Sequence, residues 1–241
     1  MSYDPHAPGL RGGFAATAGA AIDQGLRQYM LRVYNVMAGG LAVSGLVAWL
    51  AVSTGLYQQI ASTPLIWVVM LAPLGLVMLL GLRIDRLSAG AAQACFWGYA
   101  ALMGLSLAGI LLVFTGTSIA RVFFITAGTF AATSLYGYAT RRDLTQLGSF
   151  LTMGLIGIVL AALVNLFIGS NALQFAISVI GVIVFTGLAA FDTQRIKESY
   201  LASDAGDVAA KKAVMGALML YLDFVNLFVM LLQLFGARRE E

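Results

Sequence analysis

The run from Met215 to Gly236, MGALMLYLDFVNLFVMLLQLFG, is long enough to cross a bilayer and yet carries an acid near its middle. About 20 apolar residues in a helix span roughly 30 Å of hydrocarbon, so the length of this run reads as membrane. An ionised carboxylate at the bilayer centre costs roughly 2.5 to 3.5 kcal/mol on insertion scales. Asp223 must therefore face protein or water instead of lipid, and the run must pack against something. At helical spacing Gly216, Asp223, Asn226, Met230 and Gln233 share one stripe, while Leu218, Leu222, Val225, Phe228 and Val229 cover most of the remaining surface. Two readings of the stripe stand side by side: Asp223 and Asn226 hydrogen-bond a neighbouring helix, or they form part of a functional site, as intramembrane acids usually do.

What surrounds this run is more of the same. Hydrophobic residues make up 60% of the 241 and charged residues 10%, proportions far from those of a soluble domain. Apolar runs recur at about 33–55, 64–82, 88–114, 119–139, 147–168, 172–193 and 214–236. They are continuous and near 20 residues long, which predicts an all-α membrane protein of seven transmembrane helices and argues against a barrel of short alternating strands. Residues 1–13 are polar and rich in Pro and Gly, and are expected to form a disordered tail. Residues 14–31 place Ile22, Leu26 and Met30 at helical spacing and predict an amphipathic helix on the membrane surface. Residues 32–237 then form the transmembrane domain and 238–241 a short C-terminal tail. The only sizeable polar loop, about twenty residues, follows Asp192. Small residues four apart, Ala100, Gly104 and Ala108, are read as a close helix–helix packing face.

Lys and Arg fall unevenly on the two sides of such a chain. The N-terminal side holds Arg11, Arg27, Arg32, Arg83, Arg86, Arg141, Arg142, Arg195, Lys197, Lys211 and Lys212, and the other side Arg121, Arg238 and Arg239. Eleven against three places the N-terminus in the cytoplasm and, with seven spans, the C-terminus outside. The basic residues thus follow topology, and no patch with interleaved aromatics suggests nucleic acid. Cys95 is the single cysteine and His6, in the tail, the single histidine. Neither a disulfide framework, a histidine metal site nor serine–histidine catalysis inside the membrane can be assembled, and the expectation is a protein that is not an enzyme and needs no cofactor.

Three charged residues require an explanation: Asp223, Asp192 in FTGLAAFDTQRI near the end of the sixth run, and Arg83 closing the second in LLGLRID. The sixth helix runs inward and the seventh outward, so Asp192 and the first half of the seventh helix occupy the same half of the membrane. Two carboxylates that meet in low dielectric cannot both ionise cheaply; such a pair shares a proton and senses pH. Oxygen ligands suit a hard cation such as Ca²⁺, but six to eight are preferred, and Asp192, Asp223 and Asn226 supply fewer, so a transient, partly hydrated metal site in an ion path is expected. The plainer readings remain open: Asp192 can cap its helix against headgroups or Arg195, and Arg83 can be a positive-inside anchor that snorkels. Arg86 competes with Arg83 for any pairing role, and Asn165 and Asn171 read as interface hydrogen bonders.

At FTGLAAFDTQRI and ALMLYLDFVNLF the chain resembles the Bax inhibitor-1 family, whose members carry one acid near the end of the sixth helix and another within LYLDF-N-LF. The run TSLYGYATRRDLTQLGSFL is similar to the family's pattern of Tyr, Thr, Asp-Leu and Gly. The resemblance implies a bundle with the seventh helix at its centre. It further implies a pH-sensitive calcium leak channel of a bacterial inner membrane gated by an aspartate pair, here Asp192 and Asp223, with Arg83 as the cation whose bond to an aspartate holds the closed state. A rival function is a non-transporting modulator of a quality-control protease or another membrane partner, as some bacterial relatives imply. The basic C-terminal tail of animal members, linked to control of cell death, is replaced here by GARREE, and that role is not carried over.

Overall fold

The computed structural model describes residues 9–239, with side chains from Asp23 onward. Within them the chain is all-helical: α1 (Gly9–Ser53), α2 (Leu56–Ala61), α3 (Leu65–Arg83), α4 (Ala89–Val113), α5 (Gly116–Ala139), α6 (Thr145–Ile168), α7 (Asn171–Glu198) and α8 (Gly206–Phe235). All but the short α2 contain a stretch long and apolar enough to cross a membrane, giving the seven spans expected. Local chemistry sets several boundaries. Ser88, Thr115 and Ser170 sit just before α4, α5 and α7 and accept from the N–H groups of Ala91, Ser118 and Leu173, satisfying donors that a helix start leaves unpaired.

Three sequence-level boundaries differ from the structure. First, the amphipathic segment at 14–31 is not a separate element: α1 runs unbroken through it into the first span, and residues 9–13 of the expected tail are helical. Nothing between Gly9 and Ser53 breaks a helix, since the prolines stop at Pro8. The rest of the expected tail, residues 1–8, lies outside the described residues. Second, the polar loop after Asp192 shrinks to residues 199–205, because α7 continues to Glu198 and α8 begins at Gly206. Charge placement favours these extra turns: Arg195 and Lys197 lie in the last turn of α7 and Asp207 in the first turn of α8, each complementing the helix dipole. Lys212 closes the loop with a 2.7 Å ion pair to Asp204. Third, residues 237–239 are tied back to the turn between α4 and α5. The amide of Thr115 donates to Ala237, and that of Arg239 to Val113.

Helix α8 is the axis of the bundle. It packs against α7, α1, α5 and α4, and Leu220, Tyr221 and Leu227 along it are wholly buried. Around it α1 lies against α4 through the small-residue face read from the sequence: Ala100 and Ala108 are fully buried, and a Cβ on Gly104 would collide with the carbonyl oxygen of Ser44. The Ser44 hydroxyl donates to Gly40 (2.9 Å) and Ala100 (2.7 Å) carbonyls, and so accepts from the Tyr221 hydroxyl at 2.6 Å. One serine thereby joins α1, α4 and α8. Helix α3, on the outside, contains Pro73, which cannot donate to Val69 four residues earlier. Ser106 of α4 donates to that freed carbonyl at 2.6 Å, which is how a proline is accommodated inside a membrane helix.

Candidate functional site

The polar stripe of α8 faces α7, and its two ends are built differently. In the half of the bundle that carries Arg195 and Lys197, the Asp223 and Asp192 side chains lie close enough to interact. Asp223 is 4% exposed, its Oδ2 is fully buried, and that oxygen has no partner among the hydrogen bonds formed by the rest of the described chain. Asp192, one residue before the buried Thr193, is half-buried. Two carboxyl groups in contact need at least one proton between them, because neither anion can donate. Such a pair can hydrogen-bond only while it holds a proton, and no cation is ion-paired with either acid among the described residues.

Arg83 is not part of this contact. It lies exposed at the last residue of α3, next to the single 3₁₀ turn Ile84–Arg86, and Arg86 is exposed as well. The basic group close enough to act on Asp192 is Arg195, one turn further along α7 and itself exposed. Both were visible in the sequence; the i, i+3 spacing on one helix favours Arg195, whereas Arg83 would have to approach from a peripheral helix that packs chiefly on α4.

A turn beyond Asp223, Asn226 donates to its own helix at Leu222 (2.8 Å). Next, Met230 lies over Gly181 of α7; a Cβ there would stand 2.8 Å from Met230 Cγ. This thioether fills the seam between the acids and the far end of the stripe. At the far end the amides take over. Gln233 Oε1 accepts from Gln174 Nε2 (2.5 Å) and Ser178 Oγ (2.8 Å), and Gln174 Oε1 accepts from Asn165 Nδ2 (3.1 Å). Asn165 is thus the interface hydrogen bonder expected of it. Asn171 lines an open pocket of about 540 Å³ beside this cluster, together with Gln174, Ser178, Gln233 and Arg238.

Sequence reasoning missed a row of hydroxyls behind the acids. Tyr34 of α1 bonds Ser134 of α5 at 2.5 Å, Ser134 bonds Thr193 of α7 at 2.8 Å, and Thr193 donates to the Ala189 carbonyl at 2.7 Å. Isolated Ser and Thr give no signal in an apolar run, since a hydroxyl can always bond its own helix four residues back. No group of three or more His, Cys, Asp or Glu that could hold a metal comes together among the described residues.

Comparison with known proteins agrees with the reading of the two acid-bearing segments. The family described as "Inhibitor of apoptosis-promoting Bax1" matches residues 26–240. The inner membrane protein YbhL of Escherichia coli strain K12 is 47% identical over 219 residues, covering 89% of this chain and 94% of its own. Protein RP147 of Rickettsia prowazekii is 48% identical over 219 residues, covering 90% and 93%. A Caulobacter vibrioides protein is 43% identical over 239 residues, covering 94% and 95%. With a match that runs from the first span to the end of the last, this chain belongs to the Bax inhibitor-1 family of membrane proteins.

Proposed function

We propose that the protein is a pH-sensitive leak pathway for Ca²⁺ across a bacterial inner membrane, opened and closed by the proton on the Asp192–Asp223 pair. The observation that supports this most is the buried, partnerless Oδ2 of Asp223 in a carboxyl pair that can hold together only while it shares a proton. Loss of that proton leaves two anions in contact in a low-dielectric seam. Their repulsion is not screened by water, and it acts to separate α7 from α8 along the stripe that runs past Asn226 and Met230 to the amide pocket. Low pH then closes the path and higher pH opens it.

Ca²⁺ fits as cargo. The ionised pair offers carboxylate oxygens and Asn226 can add a carbonyl oxygen, short of the six to eight the ion prefers. It keeps part of its water and moves on instead of being stored. The arginine latch assigned to Arg83 by resemblance belongs to a conformation in which the end of α3 moves toward the pair; in the present arrangement Arg195 is the cation acting on Asp192. The inner-membrane location follows the name of the E. coli relative. The distribution of Lys and Arg supports a cytoplasmic N-terminus and an external C-terminus.

The test is Ca²⁺ entry into liposomes containing purified protein between pH 6 and 8, comparing the parent with Asp223→Asn and Asp192→Asn in preparations verified as folded. The parent is expected to conduct more as pH rises and both variants to lose that dependence. Folded parent protein that gives no flux above empty liposomes at any pH overturns the reading.

A further inference from the structure

Between α1 and α5 the bundle is open. These helices run antiparallel, joined at Tyr34–Ser134, and leave a groove of about 720 Å³ whose lining is almost wholly apolar, among it Met30, Met37, Leu41, Ala131 and Phe130, with Phe224 of α8 at its floor. Both walls are membrane-spanning helices, so the groove opens sideways into hydrocarbon, where neither water nor a soluble partner reaches it. Along α1 from Arg27 to Leu41 it rises about 21 Å at 1.5 Å per residue, more than the roughly 15 Å of hydrocarbon belonging to one leaflet.

One end of this groove is charged. Arg27 lines it and is exposed. Beside it Tyr138 carries Lys197, whose Nζ donates to the Tyr138 carbonyl at 2.8 Å and stands 5.3 Å from the centre of its ring. A long apolar slot at membrane depth, with Arg27 in its lining and Lys197 held on the lining residue Tyr138 at the same end, matches one class of molecule. Basic pockets between transmembrane helices bind anionic headgroups, and the slot takes the chain attached to them.

We infer that the α1–α5 groove is a binding site for an anionic phospholipid, with an acyl chain lying on Phe130 and Phe224 and its phosphate held by Arg27 and Lys197. The site is independent of the proposed transport. It nevertheless touches the acid pair from behind, because Phe224 follows Asp223 directly and Ser134 bonds Thr193, the neighbour of Asp192. A lipid in the groove packs against Phe224 and Ser134, the first adjacent in the chain to Asp223 and the second bonded to the neighbour of Asp192.

The experiment is native mass spectrometry of the purified full chain offered phosphatidylglycerol or phosphatidylcholine of the same acyl length. Ala131→Phe fills the slot from a position already exposed and leaves the core untouched; Arg27→Gln removes a headgroup partner. Leu160→Phe, on the lipid-facing side of α6, is the control. The parent is expected to retain one phosphatidylglycerol, preferred over phosphatidylcholine by about fivefold or more. Arg27→Gln is expected to lose the preference, Ala131→Phe to lose the lipid, and Leu160→Phe to behave as the parent. Equal retention of both lipids by the parent, unchanged retention by Ala131→Phe, or a dimer that Ala131→Phe dissociates overturns the inference, the last by assigning the groove to a second copy of the chain.

Discussion

The two ends of the α7–α8 seam are both polar, and they are stable for opposite reasons. At the amide end, Gln233, Gln174, Ser178 and Asn165 bond one another in a closed cluster, and none of these side chains changes charge with pH. At the acid end, Asp192 and Asp223 can satisfy each other only while they hold a proton, and Asp223 Oδ2 has no hydrogen-bond partner among the described residues. The first is a clamp whose strength is fixed by its geometry. The second, in the function proposed above, is a clamp whose strength is set by the solution. The difference separates polar groups that the chain satisfies by itself from polar groups that depend on something outside it.

The comparison breaks most readily at the acid end. Asp192→Ala strands the Asp223 carboxyl in its buried position, and flux should lose a pH response that one-proton control can make as steep as about tenfold per pH unit. The same variant should unfold in mild detergent with a loss of about 1–3 kcal/mol, the cost of an unpartnered buried polar group. A parent-like pH profile in folded Asp192→Ala protein would place the sensor elsewhere. Met230→Ala removes the side chain that fills the seam between the two ends: liposomes at pH 6 should leak several-fold more than with the parent, while the pH midpoint stays where it was. If leak at pH 6 is unchanged, the path does not run between Met230 and Gly181.

Smaller effects sharpen the contrast. Gln233→Ala takes away the acceptor shared by Gln174 and Ser178 and should lower stability by about 0.6–1.7 kcal/mol, measured as a shift in thermal midpoint, with pH dependence of flux intact. A changed pH profile would mean that the amide end also takes part in gating. The smallest effect is expected at Asp143, in the turn before α6. The hydroxyl of Thr145, and its backbone N–H at 2.8 Å, hold this exposed carboxyl below its ordinary 3.8. A depressed carboxylate contributes stability above its unfolded value that is lost as pH falls through the folded one. Asp143→Ala should therefore be slightly less stable than the parent at neutral pH and equal to it once the pH falls well below the folded value, with unaltered flux between pH 6 and 8; a midpoint difference that persists in strong acid would assign the turn to other contacts.

Much of this was legible in the sequence because hydrophobic length and charge are strong signals. The seven spans, the α8 stripe and the Ala100–Gly104–Ala108 face follow from length and spacing, helix direction puts Asp192 in the same half of the membrane as the first half of the last span, and the family resemblance pairs it with Asp223. The missed features are those in which a helix obeys local chemistry instead of the bilayer. Helices α7 and α8 continue past the hydrocarbon because charged residues complement their ends, and α1 passes through the surface segment without a break because nothing there interrupts it. The placement of Arg83 depends on how α3 leans against α4, and a sequence does not carry that angle. Ser44, Ser106, Ser134 and Thr193 were silent because each looks like any small residue until the partner across the helix interface is known.

The row from Tyr34 to Ala189 has a direction. The Ala189 carbonyl can only accept, so Thr193 spends its one proton there, Ser134 must donate to Thr193, and Tyr34 must donate to Ser134. Every proton in the row is committed and its last atom cannot hand one on. The row therefore fastens three helices together like a rivet, and it insulates: no proton can be handed on through its last atom, a carbonyl that only accepts.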